Sequence, residues 1–348
     1  LLVTRLSITG EVTNTIILLS ILLAFVVYGI GRNLAHNTFQ ALLADKFHGG
    51  SRPRAVTGYE VATVLGLIVG AGALSGALSD YNAAQLMSVA IAIATITFIL
   101  TIIGAIVQEP RTEKMAVATE KAREMPFSKA FKEVVWADRQ VRLFFLLIMF
   151  AFVGTLAQDV FLEPYGGLVL GMDIGETAAL TQFWGVGLII SMLISGWVLI
   201  RWFGYMRVLR IGLIVSVVVF IGIIAAGAVG NVNLFRILVL VMGLGTGLAG
   251  AGMLSIIINF TSNLRAGLLL GVWGFANQLG RALGSLMAGG VVDIMLRVTG
   301  NNAFIAYATV FALEIVMLIV ALYLSSRLDV TISRAKIEEE RVLGEPVS

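Results

Sequence analysis

Gln158, Asp159, Glu163 and Tyr165 fall within little more than two helical turns, in the stretch Gln-Asp-Val-Phe-Leu-Glu-Pro-Tyr-Gly-Gly. Carboxylates four residues apart share a helix face. Such a pair could do acid–base work, hold a cation, or fix the local backbone by hydrogen bonds. No nucleophile or metal-ligand set accompanies them, so catalysis is not the expected use. The stretch lies where an apolar run beginning at Leu143 should be leaving a membrane. Charges at that depth are expensive unless they face a partner or a wet cavity. Pro164 and the Gly166-Gly167 pair predict a helix break there, and a new helix is expected near Glu176.

A second polar set runs through Arg32, Asn33, His36, Asn37 and Gln40. Positions three and four apart lie on one face, so Asn33, His36 or Asn37, and Gln40 form a stripe. Counting back from Asp45 at ~1.5 Å per residue puts His36 roughly 13 Å into the membrane. A neutral imidazole can ligate a metal through one nitrogen while a partner holds the other. It can equally hydrogen-bond between helices, as polar intramembrane residues often do. Glu60, about six residues inside the next helix, could pair with this stripe or carry a proton. Arg281 stands near the middle of a later span and must find a carboxylate, carbonyls or water.

The elements that position these residues are membrane helices. Of the 348 residues, 58% are hydrophobic and 13% charged, against about 25% charged in ordinary soluble domains. A soluble chain of this size could not hide so much apolar surface. The absence of cysteine excludes disulfides, thiol nucleophiles and Cys-based metal sites. About 20 apolar residues cross a bilayer core. Nine such runs are read at 14–44, 55–79, 82–107, 143–164, 177–200, 206–228, 232–259, 266–292 and 302–326. The fold class is therefore an all-α polytopic membrane protein.

Basic residues set the orientation. They gather in alternate connections: Lys46, Arg52 and Arg54; a cluster from Arg111 to Arg142; Arg201, Arg207 and Arg210; Arg265; and Arg327, Arg334, Lys336 and Arg341 in the tail. The C-terminus is accordingly expected in the cytoplasm. The expected organisation is 1–108, three helices of an N-terminal bundle; 109–141, a cytoplasmic loop; 142–327, a six-helix bundle; and 328–348, a cytoplasmic tail. Within the loop, Phe127, Ala130, Phe131, Val134 and Val135 have helical spacing, predicting a helix on the membrane surface. Three spans precede the long loop and six follow it, which resembles facilitator-type transporters with two six-helix halves joined by such a loop; the resemblance implies helices four to twelve, the first three lying outside this sequence. A faint repeat agrees: Arg54-Ala and Arg265-Ala each lead a small-residue helix, ending at Asp80 and Asp293.

Gln158-Asp159 with Glu163-Pro164-Tyr165-Gly166-Gly167 closely resembles the signature of the PucC-type (bacterio)chlorophyll delivery proteins, a branch of the major facilitator superfamily. Asn33 to Asp45, Arg52-Pro-Arg54, Gln108 to Arg111 and Gly271 to Gly274 carry the same resemblance, which runs from about residue 30 to about 325. It implies a major-facilitator-like helix bundle in a photosynthetic membrane. It implies a non-enzymatic protein that binds bacteriochlorophyll or chlorophyll, with a carotenoid as a further candidate. Its partners would be light-harvesting antenna polypeptides or a reaction centre, and no nucleic acid. On this reading His36 is the candidate axial ligand to the pigment magnesium. Asn33, Asn37, Gln40, Glu60, Gln158, Asp159, Glu163 and Tyr165 complete the candidate pigment-handling set. Two alternatives stand beside it: a proton-coupled secondary transporter built around Glu60, Arg32 and Arg281, and a permanent pigment-bearing subunit of a photosystem.

Several motifs carry no chemistry. Gly245-Thr-Gly247-Leu-Ala-Gly250 spells a dinucleotide fingerprint but lies in an apolar helix with no preceding strand. Gly66/Gly70 and Gly72/Gly76 are spacings that let helices approach closely. Asn259-Phe-Thr261 spells a glycosylation acceptor on the expected cytoplasmic side. No Walker-type loop is present, which argues against ATP-driven transport. Gly196, Arg201 and Gly204 resemble the facilitator loop motif, but Ile200 stands where that motif has an acid.

Overall fold

The computed structural model describes residues 15–46, 51–77, 83–106, 132–136, 139–156, 158–260 and 266–328. All regular structure among them is helical: α1 (Thr15–Lys46), α2 (Ser51–Ala77), α3 (Ala83–Ala105), α4 (Arg139–Leu156), α5 (Gln158–Leu170), α6 (Ile174–Ile194), α7 (Ile200–Phe203), α8 (Tyr205–Ala228), α9 (Val232–Phe260), α10 (Ala266–Val298) and α11 (Ala303–Arg327). Single π-helical turns at Lys132–Trp136 and Ser195–Leu199 precede α4 and α7. The expected surface helix around Phe127 falls largely outside the described residues.

Seven segments among the described residues are long and apolar enough to cross a membrane: Ala84–Gly104, Arg139–Leu170, Ile174–Ile194, Tyr205–Ala228, Val232–Ile256, Trp273–Val298 and Ala303–Arg327. The other two expected spans are helical, and their described residues include the apolar stretches Leu19–Arg32 and Val61–Ala77. At 32 residues, α1 is about 48 Å long at 1.5 Å per residue. That exceeds the ~30 Å of a hydrocarbon core.

One expectation is corrected. No break occurs at Pro164–Gly167; α5 continues through Pro164 and both glycines to Leu170. The helix stops instead at Gly171, whose φ of +66° is open to glycine at little cost, and Met172 N–H closes the turn on the Gly166 carbonyl at 3.0 Å. Proline removes one donor, yet a membrane helix tolerates it where neighbouring protein compensates. Helix α6 then starts at Ile174, with the Glu176 carboxylate accepting from Asp173 N–H at 3.2 Å.

The chain divides into two compact units, Leu1–Pro110 with Asp173–Gln182, and Arg111–Met172 with Phe183–Ser348. In the first, α1 meets α2 where the Phe39 and Tyr59 rings lie 5.0 Å apart. The first turns of α6 dock on α2: Ser75 Oγ donates to the Gly175 carbonyl at 2.7 Å, and Gln182 Nε2 to that of Ile68 at 3.2 Å. Helix α3 leaves none of its apolar window buried.

In the second unit, α8 packs along α9, and α4 lies against both α10 and α11. Helix α9 owes its close neighbours to glycines. A methyl on Gly245 would lie 2.8 Å from Ser216 Oγ of α8, one on Gly247 2.6 Å from the Leu188 carbonyl of α6, and one on Gly252 2.7 Å from Leu209 Cβ. The apparent dinucleotide fingerprint is thus a helix-packing surface. Arg210 of α8 ties down the end of α11, donating to the Ser325 carbonyl at 2.8 Å and to Ser325 Oγ at 3.2 Å. Asn302 caps the other end of α11, its side chain accepting from Ile305 N–H at 3.1 Å.

Candidate functional site

Because α5 is continuous, its spacing sorts the signature residues onto opposite faces. Gln158, Phe161, Leu162, Tyr165 and Gly166 are buried, whereas Val160, Glu163 and Leu168 are exposed. Asp159 shares the Glu163 face by its four-residue spacing; its side chain lies outside the description.

Tyr165 is fully enclosed. Its ring sits 5.2 Å from Phe311, 5.5 Å from Phe235 and 6.0 Å from Tyr307. Its hydroxyl donates to the Ile223 carbonyl of α8 at 3.0 Å. Burying a phenol requires such a partner, and this one fastens α5 to α8. Opposite the hydroxyl stands Gly227, where a side chain would collide with the Tyr165 hydroxyl. The aromatic cluster continues through Phe161, 5.3 Å from Phe311, and Phe220, 5.6 Å from the same ring.

Gln158 is 1% exposed, and neither its Oε1 nor its Nε2 has a hydrogen-bond partner. Its level in the bundle follows from its neighbours. A methyl on Gly154 would touch Leu318 Cγ at 2.7 Å and the Glu314 carbonyl at 3.1 Å. Phe161, further along, reaches Phe311 and Tyr307. The α4–α5 segment therefore runs antiparallel to α11, and Gln158 comes level with the turn holding Phe311 and Glu314. Glu314 is completely buried. Helix α10 brings Gly280 and Arg281 to the same part of α4, since a methyl on Gly280 would lie 2.8 Å from both the Met149 carbonyl and Phe152 Cβ. An amide on α5 and a carboxyl on α11 thus form one polar layer, while Arg281 follows the Gly280 contact with Met149 and Phe152, several residues before Gln158.

Glu314 is absent from the residues singled out by sequence, although a lone acid inside the apolar run 302–326 carries the same signal that marks Asp159 and Glu163. Arg281, expected near mid-membrane, lies on α10 next to the Gly280 contact with Met149 and Phe152 of α4.

The stripe Asn33, His36, Asn37 and Gln40 lies on α1, and Glu60 on α2. The Phe39–Tyr59 contact brings backbone positions 40 and 60 to one level; these five side chains lie outside the description. Within the same unit, Tyr28 of α1, Leu74 of α2 and Leu86, Ile93, Thr97 and Phe98 of α3 line an open apolar groove of about 680 Å³. Tyr28 is two turns from His36 along α1. Among the described residues, no group of His, Asp and Glu side chains could by itself hold a metal ion. What the groove offers is hydrocarbon surface with a few hydroxyls at its margin, suited to a large apolar guest.

Comparison with known proteins matches this architecture. A family model described as "PUCC protein" matches residues 2–332. The protein of Rhodobacter capsulatus described as "Uncharacterized protein in puhA-bchM intergenic region" is 29% identical over 309 residues, covering 86% of this chain and 64% of the relative. "Protein PucC" of Cereibacter sphaeroides is 31% identical over 298 residues, covering 84% and 64% respectively. The chain thus spans a little under two thirds of the length of these relatives. Among solved structures, a bacterial homologue of the human lysosomal transporter Spinster, inward-facing and occupied, superposes with a TM-score of 0.56 at 15% identity. It covers 84% of this chain and 73% of its own. At that identity the likeness is one of fold, a major-facilitator-like helix bundle.

Proposed function

Since the chain belongs to the PUCC protein family, we propose that it binds (bacterio)chlorophyll and hands it to light-harvesting or reaction-centre polypeptides as they assemble in a photosynthetic membrane. The match over nearly the whole chain carries this reading. The groove beside α1 supports it, because its apolar lining suits the hydrocarbon body of a tetrapyrrole or its tail. A bound pigment would supply an axial position on magnesium. His36 is the residue proposed to fill it, with Asn33, Asn37 and Gln40 on the same stripe and Glu60 on the neighbouring helix. In this scheme the chain is a carrier and not an enzyme. Its own residues bind the pigment, orient it and release it, and its C-terminus is cytoplasmic. Tyr165 and Gln158 stand apart from the groove residues in role: enclosed in the second unit, they hold the bundle that the signature belongs to.

The fully buried Glu314, with Arg281 on the neighbouring α10, favours a second reading, a proton-coupled secondary transporter, because ionisable groups inside a membrane bundle often mark proton or ion paths.

The deciding experiment is an absorption spectrum of the protein purified in mild detergent from pigment-producing cells, with extracted pigment quantified per chain. Pigment at a near-integer ratio that falls in His36→Ala is the expected result. A colourless protein, or a ratio unchanged by that substitution, would overturn the ligation and turn the reading toward transport. Pigmented protein that co-purifies stoichiometrically with a reaction centre would mark a permanent subunit in place of a carrier.

A further inference from the structure

Gln158 poses a problem that protein packing leaves unsolved. It is stripped of bulk solvent, yet its donor and its acceptor are both without protein partners. Buried polar groups in folded proteins are nearly always hydrogen-bonded, to protein or to ordered water. At the same level, α11 supplies Glu314, fully buried. We propose that this layer is an internal hydration site, in which water bridges the Gln158 amide on α5 to the Glu314 carboxyl on α11.

The chemistry of the layer selects the guest. An amide needs an acceptor for Nε2 and a donor for Oε1, and water supplies both from one small molecule. A bare cation would satisfy Oε1 alone and would leave Nε2 without an acceptor. An anion would satisfy Nε2 alone and would meet the Glu314 carboxyl. A purely apolar guest would leave both amide atoms as they are. Buried waters typically make about three hydrogen bonds, and this layer offers both atoms of an amide and the oxygens of a carboxyl. The site lies within a segment matching the family signature, next to the junction of α4 and α5. A water there could exchange partners as the two helices shift, which a direct side-chain bond could not do without breaking.

Radiolytic hydroxyl-radical footprinting of the full chain in detergent tests the proposal, with oxidation located by mass spectrometry. Ordered water beside a side chain labels it even when bulk solvent is excluded. The expected result is oxidation of buried Phe161, Phe311 or Leu318 at rates comparable to exposed Val160, with protection in Gln158→Leu. Absence of labelling at all three in the unsubstituted protein would overturn the site. A thermal-unfolding cycle over Gln158→Leu, Glu314→Leu and the double variant gives an independent readout. A water bridge predicts that each single substitution lowers the melting temperature and that the double variant loses less than the two losses added together. If Gln158→Leu instead raises the melting temperature and the two effects add, the amide is an orphan and the bridge does not exist.

Discussion

The contact between Tyr165 and Gly227 makes a quantitative demand. Tyr165 donates to the Ile223 carbonyl, which in α8 also receives the helical hydrogen bond from Gly227 N–H, four residues on. Tyr165→Phe therefore removes a hydrogen bond without orphaning the acceptor, and should cost ~0.5–1.5 kcal/mol. Gly227→Ala adds a methyl that collides with the Tyr165 hydroxyl and lies 2.8 Å from its Cζ and 3.3 Å from Phe304 Cε2. The ring cannot swing aside, because Phe235, Tyr307 and Phe311 enclose it. Overpacking of this kind costs about 1–3 kcal/mol, offset by up to ~1 kcal/mol of improved helix propensity. Phenylalanine at 165 deletes the oxygen that the methyl strikes first. The double variant should therefore be less destabilised than the two singles added together, by at least ~0.5 kcal/mol. Melting of the detergent-solubilised protein, followed by intrinsic fluorescence, can resolve this. Each kcal/mol should move the midpoint by ~2–4 °C if a unit of this size behaves like a soluble domain of 150–250 residues. Strict additivity, or a neutral Gly227→Ala, would refute the enclosure of Tyr165 and the seating of α5 on α8.

Two further expectations use the same assay. Arg210→Ala should destabilise by on the order of 1–2 kcal/mol by releasing the Ser325 carbonyl and hydroxyl. Arg210→Lys should recover only part of this, since one ammonium cannot reproduce the two-pronged geometry; full recovery would show that charge alone matters. Asn302→Ala should cost about 1 kcal/mol by uncapping α11, and Asn302→Asp should be nearly neutral. Equal losses in both variants would show that the cap bond is not what Asn302 contributes.

The helical architecture was legible because a membrane imposes one strict rule on apolar run length. Spans read at 206–228, 232–259 and 302–326 correspond to α8, α9 and α11 within a residue or two. Turn chemistry was less readable. Pro164 and the glycine pair spell a break in water, but within α5 the chain continues to Leu170, and a positive φ at Gly171 ends it. The exposed or buried fate of Glu163 and Tyr165 could not be read from composition, since it depends on which face of α5 meets α8 and α11. Glu314 escaped notice because long apolar flanks make its run look like an uninterrupted span. The polar stripe on α1 was visible as a pattern, yet the feature beside it, the groove lined by Tyr28 and α3, requires three helices and has no sequence signature of its own.

The glycines of α9 have a mechanical consequence. With α8 on one side and the second half of α6 on the other, these glycines face main chain and the first side-chain atoms of Ser216, Ser191 and Leu209. The helix is keyed like a splined shaft: turning it about its own axis would drive a bulkier neighbouring side chain into space already filled by main chain and short side chains. Strain placed at position 245 or 247 is consequently passed to the helix that the glycine faces. Within the second unit, α8, α9 and the part of α6 from Phe183 onward are thereby coupled in rotation.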